Sequence, residues 1–438
     1  MNLDNGLKIN MKKVYFVLLI IVLRLILDLG YNYIISRYYK YAGFDNISSV
    51  ENMLVSWLIL LAFTIIISRY YINPQKISEE VLVIIFLLSI VPFTSYIAYN
   101  NCDIIFVLCN TFYFILVFFI YWELTKVKFT FGKRISHPNN KNFVLVFNII
   151  VIFISLTILF VSYYYTGFRL HFSLVDVYDL RMEERSFNYP TVIKYIMNAS
   201  GTVLCLALAY YLRIQNYLAS ALVFIVQLLN FGIGGSKSVI IMTIAVLTIH
   251  FFSRFVLEHF NRLVLMTLLI CIIVCTMSYF LFDNLTLMSM FARRVMYLPN
   301  QLAECYFDFF SNHEADYFRN SFLRNFGFTS PYGEIPFYIG KVYFNSPSMH
   351  ANCGLLADAM TNLSYLGIVV FPILIGFMFK VLDWCSEIIE SKLYIAIALN
   401  IGMTLISSSL FTALLSHGII LIAFCLFCLS NDDRIRKT

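Results

Sequence analysis

The chain is a succession of about a dozen apolar segments, and only two long polar stretches interrupt it, residues 166–191 and 283–350. Apolar runs of about 20 residues suit helices that cross a hydrocarbon core, where every backbone N–H and C=O must be satisfied within the segment. Composition excludes an ordinary soluble domain: 60% of the residues are hydrophobic and 13% charged, against roughly 45–50% and about 25% in soluble proteins. The expected fold class is therefore all-α, a single polytopic membrane domain over residues 1–438. The hydropathy pattern predicts about 12 transmembrane helices, near 14–35, 53–72, 81–99, 104–122, 143–165, 192–212, 217–232, 238–253, 263–282, 364–382, 393–411 and 414–430.

Basic residues set the expected orientation. An even number of spans puts both termini on one side, and that side collects 18 of the 31 lysines and arginines, among them Lys12, Lys13, Lys126, Lys133, Arg134, Arg213 and Arg434. By the positive-inside rule it is cytoplasmic, so both termini are expected in the cytoplasm and the two polar stretches are expected as outer loops. The first apolar run reads as a span rather than a cleaved leader, because it is long, contains Arg24 and Asp28 and ends in Tyr-rich sequence. Arg24 and Asp28 are four apart and share a helix face, so they are expected to neutralise each other inside the bundle, a role in a polar cavity being the alternative.

The cysteines and histidines point to no metal site. Most of the ten cysteines lie within spans as small apolar residues, including the Cys425/Cys428 pair of the last helix. Cys102, Cys305 and Cys353 are placed outward, where any two of them would be able to form one bridge. The seven histidines are scattered without the three- or four-residue repeat of metal ligands.

Arginine dominates the cations of the two polar stretches: Arg169, Arg181 and Arg185 in the first, and Arg293, Arg294, Arg319 and Arg324 in the second, with Lys341 the only lysine. The planar guanidinium fork matches phosphate and carboxylate bidentately where lysine offers a point charge. In the first stretch, Asp176 to Arg185 reads DVYDLRMEER, a short amphipathic helix with Arg181 and Arg185 on one stripe and Asp176, Asp179 and Glu183 on another. Like charges four apart repel mildly, so an anion would complete the arginine pair; a solvated network of local pairs is the alternative. The second stretch interleaves its arginines with aromatic residues such as Tyr297, Tyr306, Phe310, Tyr317 and Phe328. That mixture suits a sugar-binding or lipid-contacting surface, or packing of the stretch onto the membrane.

Two further segments carry polar groups to the same side. Phe231 to Ser238, FGIGGSKS, lacks the spacing of a nucleotide-binding loop, but it breaks two short helices and can aim backbone N–H groups and Lys237 at an anion. A tight helical hairpin with a snorkelling lysine explains the same residues. Asn352 to Gly367 re-enters the membrane with Asp358 and Asn362 four apart on one face.

Many spans, arginines in two large outer stretches, Asp179-Leu180-Arg181 after the fifth span, and His350 followed by Asp358, Asn362 and Gly367 together resemble the oligosaccharide repeat-unit polymerases of bacterial O-antigen and capsule synthesis. Arg324 and Gly340 have the fifteen-residue separation seen in some members, while the ten-residue version is absent from the first stretch. The resemblance implies a fold similar to the C-type membrane glycosyltransferases, in the bacterial cytoplasmic (inner) membrane. It implies polymerisation of oligosaccharide units linked to undecaprenyl pyrophosphate at the outer face, in contact with membrane lipids and beside a flippase and a chain-length regulator. No cofactor, metal or nucleic acid is implied.

The chemistry agrees with the residue types. Pyrophosphate leaves with growing negative charge, which fixed cations stabilise near a low-dielectric interface; the candidates are Arg169, Arg181, Arg185, Lys237, Arg293, Arg294, Arg319 and Arg324. The acceptor hydroxyl needs a base, and the outward candidates are His350, then Asp358, with Glu183 and Glu184. An O-antigen ligase would use the same donor with a lipid acceptor, and a flippase or exporter would need as many helices but usually shows two similar halves, which this chain lacks.

Overall fold

Ten helices are long and apolar enough to cross a membrane in the computed structural model, which describes residues 3–71, 74–127, 141–170 and 177–435. The chain runs through α1 Lys13–Tyr38, α2 Val50–Tyr70, α3 Ile77–Tyr99, α4 Ile104–Lys126 and α5 Lys141–Thr166. The short helix α6 Val177–Ser186 follows, as the alternation of charges predicts. Next come α7 Thr191–Arg213, α8 Tyr217–Gly234, α9 Lys237–Phe251 and α10 Arg262–Phe282. Helices α11 Leu298–Asn312 and α12 Ile335–Phe344 lie in the second polar stretch. The chain closes with α13 Leu356–Ser386, α14 Ser391–Ser407, α15 Leu410–Leu415 and α16 Ile419–Leu429. Among the described residues there is no strand. The expected spans 238–253 and 393–411 are α9 and α14, apolar but shorter than the ten, and α15 with α16 makes up the tenth candidate span.

Burial follows the sequence pattern. Helix α3 is buried along its whole apolar length, with α2, α13 and α14 packed around it, so apolar residues cover every face. The remaining long helices leave one apolar face exposed, as lipid-facing helices do. A second group forms around α7, which packs on α5, α8, α9 and α14.

The one cation deep in the first span is satisfied as its spacing predicts. Arg24 Nε lies 2.7 Å from Asp28 Oδ1, and its other nitrogens donate to Thr94 Oγ1 at 3.0 Å and Ser56 Oγ at 3.2 Å. Asp28 also accepts from Ser95 Oγ at 2.6 Å. A buried charge with all these partners ties α1, α2 and α3 together, and removing one partner would leave the other uncompensated.

The second polar stretch does not simply lie over the bundle. Tyr297 OH donates to Leu27 O at 3.0 Å and Asn300 Nδ2 to Ser89 O at 3.3 Å, so α11 starts against the middle of α1 and α3 and climbs back out. Tyr306, Phe307, Phe309 and Phe310 are buried, which is why so aromatic a segment folds inward. All ten cysteines are free thiols, so Cys102, Cys305 and Cys353 form no bridge.

Candidate functional site

Irregular backbone at membrane depth is tolerated where it is buried in protein or lines a water-filled cavity, and this protein concentrates it at one end of the bundle. Helix α13 breaks at Ser364, whose φ of 49° and ψ of −139° leave the helical region. The fold-back brings Gly367 against the Ala359 carbonyl, where a β-carbon would overlap the oxygen, so a glycine is required. Nearby, α14 stops at Ser407, α15 spans only Leu410–Leu415, and Gly418 at φ 74° begins α16. Gly354 brings the chain before α13 equally close to the Leu405 and Ile406 carbonyls.

Hydrogen bonds hold these ends together. Asp358 Oδ2 accepts from Leu410 N at 2.6 Å, capping α15, and Oδ1 accepts from Asn362 Nδ2 at 2.8 Å. Asn362 Oδ1 in turn accepts from Phe318 N at 3.0 Å, and Asp316 N donates to Thr361 O at 2.7 Å. The second polar stretch is thus anchored to the start of α13. Asp316 is fully buried; its Oδ2 accepts from Asn320 N at 2.6 Å, while Oδ1 has no hydrogen-bond partner among the described residues. An unpaired buried carboxylate oxygen is costly, which marks a position where a ligand hydroxyl would be accepted.

Two cavities of about 500 Å³ each open beside this network. The first is lined by Glu184 of α6, by Gly234, Ser236 and Ser238 at the turn between α8 and α9, and by Asn230, Asn400 and Thr404. The second is lined by Asp316, Asn320, His350, Asn352, Asp358, Asn362 and Thr412. Ser407, Ser408 and His417 line both, so these three residues form a common wall. His417 lies with Nε2 3.1 Å from Ser408 Oγ, and its backbone N–H donates to Thr412 O at 3.0 Å. The imidazole is therefore held at the boundary between two polar compartments.

The sequence candidates distribute unevenly over this geometry. His350 and Asp358 line the second cavity, His350 exposed and held by Asn352 Oδ1 at 3.0 Å and an edge contact with Phe337, and Asp358 with 3% of its surface exposed. Glu184 lines the first and packs against Gly234, which has no side chain to displace it. Glu183, the preceding residue of α6, pairs instead with Arg169 NH2 at 2.8 Å. Arg319 pairs with Glu314 at 3.2 Å and donates to the Ala315 and Asp316 carbonyls, and Arg324 makes a solvated pair with Glu334 at 3.7 Å. Asp176 and the side chains of Asp179, Arg181 and Arg185 lie outside the described residues.

Arg294 instead lines a smaller cavity of about 280 Å³ with Tyr39, Leu285, Thr286, Ser289 and Met290, and two further cations touch its wall residues. The Arg293 guanidinium stacks over Tyr39 at 4.4 Å and donates to Ser289 Oγ, and Lys237 Nζ reaches Met290 Sδ at 4.0 Å. Burial lowers the Arg293 pKa from its ordinary value, with Tyr39 opposing the shift. Lys237 follows Ser236, which lines the first large cavity, so the cation group and that cavity adjoin through the glycine turn.

Sequence reasoning missed Asp316, His417 and the Ser407-Ser408-Ser409 run. The signal was present in outline: three serines and a His-Gly pair interrupt an otherwise apolar terminal stretch, and polar groups at span depth mark functional positions. Among the described residues, no group of three or more His, Cys, Asp or Glu side chains is placed to hold a metal ion. No protein-family model matches the chain, and neither a curated protein nor a solved structure is found to match it.

Proposed function

We propose that this protein is a membrane glycosyltransferase that polymerises lipid-linked oligosaccharide repeat units at the outer face of the bacterial cytoplasmic membrane, in O-antigen or capsule synthesis. The observation that carries the reading is the pair of polar cavities meeting at His417. Polymerisation joins two bulky saccharides, so it requires two compartments with one reacting boundary, whereas hydrolysis or transport of a single ligand does not.

In this reading the donor, a growing glycan on undecaprenyl pyrophosphate, occupies the first cavity. Its pyrophosphate faces Lys237, Arg293 and Arg294, and its lipid runs along the bundle. The acceptor sugar of a new lipid-linked unit lies in the second cavity, where Asp316 accepts a hydroxyl. The acceptor oxygen attacks the anomeric carbon, the bond from that carbon to the phosphate oxygen breaks, and the hydroxyl proton passes to His417. Fixed cations stabilise the departing pyrophosphate without a metal or nucleotide. A base held within hydrogen-bond reach contributes typically ~10²–10⁴-fold. His350, at the mouth of the second cavity, is the second candidate for that proton. A flippase supplying both substrates and a chain-length regulator are the partners such a reaction calls for.

The test is deletion of the gene in its native host, followed by gel analysis of lipid-linked and surface glycans. Surface glycan of a single repeat unit supports the polymerase. Full-length polymer retained on its lipid carrier would make the protein a ligase, and loss of all outward-facing glycan would make it a flippase.

A further inference from the structure

Helix α11 has two working faces. Tyr306 lines the second cavity described above, while Gln301, Glu304, Cys305, Asp308, Ser311 and Asn312 line a separate cavity of about 780 Å³ on the other side. Its further walls come from residues 40–43 after α1, from Asn101, Asp103 and Phe106 at the start of α4, and from Tyr343, Phe344 and Tyr365.

The lining has a definite chemistry. Three carboxylates face one another: Glu304 Oε2 accepts from Tyr96 OH at 2.6 Å and its carboxylate also takes a hydrogen bond from the Cys102 thiol, Asp308 Oδ2 accepts from Tyr343 OH, and Asp103 Oδ1 from Ile105 N at 3.0 Å. Among the described residues, Lys40 is the only lysine or arginine on the lining, so the lining described carries an excess of negative charge. Burial holds the Glu304 carboxyl above its usual range. Gln301 adds an independent sign of a ligand: it is 4% exposed, its Nε2 donates to Ala42 O at 2.6 Å, and its Oε1 has no hydrogen-bond partner among the described residues. Rings of Tyr41, Phe106, Tyr343, Phe344 and Tyr365 alternate with these acceptors.

Acceptor-rich carboxylates and amides between flat apolar rings fit a ligand that has many hydroxyl donors and apolar faces and brings no negative charge of its own. We propose that this cavity is a second saccharide-binding site, for a segment of neutral or amino sugars, and that it rejects uronic and other acidic sugars. The carboxylates accept hydroxyl or ammonium protons, and the rings cover the sugar faces. A carboxylated sugar would face Glu304, Asp308 and Asp103 with only Lys40 to offset them, and like-charge juxtaposition is what makes a site discriminate. The inference extends the glycosyltransferase reading by naming the charge class of the glycan, and it stands on this cavity alone.

Full-length protein in lipid nanodiscs would be titrated calorimetrically with triglucosamine, tri-N-acetylglucosamine and trigalacturonic acid. The first two are expected to bind, and the acidic trimer to bind about tenfold or more weakly. Asp308→Asn is expected to weaken triglucosamine about fivefold or more, since a charge-assisted bond is lost, and to leave tri-N-acetylglucosamine within about twofold. Tyr365→Ala should weaken both. Asp308 and Tyr365 are exposed, so neither change threatens folding. Failure of every trimer to bind, equal binding of the acidic trimer, or wild-type binding by both variants overturns the proposal. Because the readout is binding, it is independent of whether the deletion strain accumulates single repeat units.

Discussion

Asp358 Oδ2 accepts the backbone N–H of Leu410 at 2.6 Å, joining the starts of two helices that lie 52 residues apart. With Oδ1 engaged by Asn362, both oxygens hold the site's walls rather than face a substrate. Asp358→Ala is expected to lower stability by about 1–2 kcal/mol, the cost of losing a helix cap, and to abolish transfer through loss of the wall. Asp358→Asn keeps one acceptor and is expected to retain measurable transfer. Thermal unfolding and polymer synthesis measured on both variants check this; an inactive but fully stable Asn variant would make Asp358 the base.

His417 stands between the two cavities, with Ser408 orienting it. His417→Gln is expected to reduce polymerisation by about 100-fold or more while the protein remains inserted. Ser408→Ala, which removes only the orienting group, should cost about tenfold or less. Quantified polymer per unit of inserted protein separates the two.

The cations should divide by their partners. Arg294 lines the small cavity beside Lys237 and Arg293, whereas Arg324 is about two-thirds exposed and pairs with Glu334 at 3.7 Å. Arg294→Gln and Lys237→Gln are expected to raise the donor KM and lower turnover, and Arg294→Lys to restore only part of it. Loss of the Arg324 pair should change stability by less than about 1 kcal/mol, with little effect on polymer. Steady-state assays on these four variants decide the matter.

Gly234 gives way to the Glu184 carboxylate, which occupies the space of a β-carbon. Gly234→Ala is expected to push that flexible side chain aside at little cost in stability and to impair donor binding. A second change, Glu184→Ala, should relieve the clash. The double variant would then be no worse than Glu184→Ala alone, a non-additive cycle measurable in donor affinity.

Glu304 contributes a pH dependence from within the second polar stretch. Burial raises its folded pKa above the unfolded value, so the folded state holds the proton more tightly. Its contribution to stability is greatest below the ordinary glutamate range and is lost as pH rises toward the folded pKa. Glu304→Gln keeps an acceptor for Tyr96 and is expected to flatten that slope and raise the melting temperature at neutral pH. Melting curves from pH 4 to 8 on both proteins read it directly.

Much of the frame was legible in the chain. The apolar runs mark most of the helices within a few residues, although α13 starts at Leu356, eight residues before the expected 364, because the polar Asp358–Asn362 turn is helical ahead of the break at Ser364. The Arg24–Asp28 spacing pairs as four-apart charges should, and the glycine turn after α8 lies where the composition breaks. Asp358 and Asn362, four apart, do meet. The arginines were harder. Arg169 and Arg319 carry the residue type for anion binding, yet nearby carboxylates occupy them, because pairing depends on which acid the loop path delivers.

Hydropathy and spacing act over one or two helical turns, and so the linear chain determined a many-helix membrane body, its polar stretches and its candidate acids and bases. Packing alone determined that α11 dives against α1 and α3, that Asp316 meets Thr361, and that His417 separates two cavities. The first two of these relationships join residues from 45 to 270 positions apart. They arise only when apolar faces close the bundle and most buried polar groups find partners across it, a condition that no local segment contains.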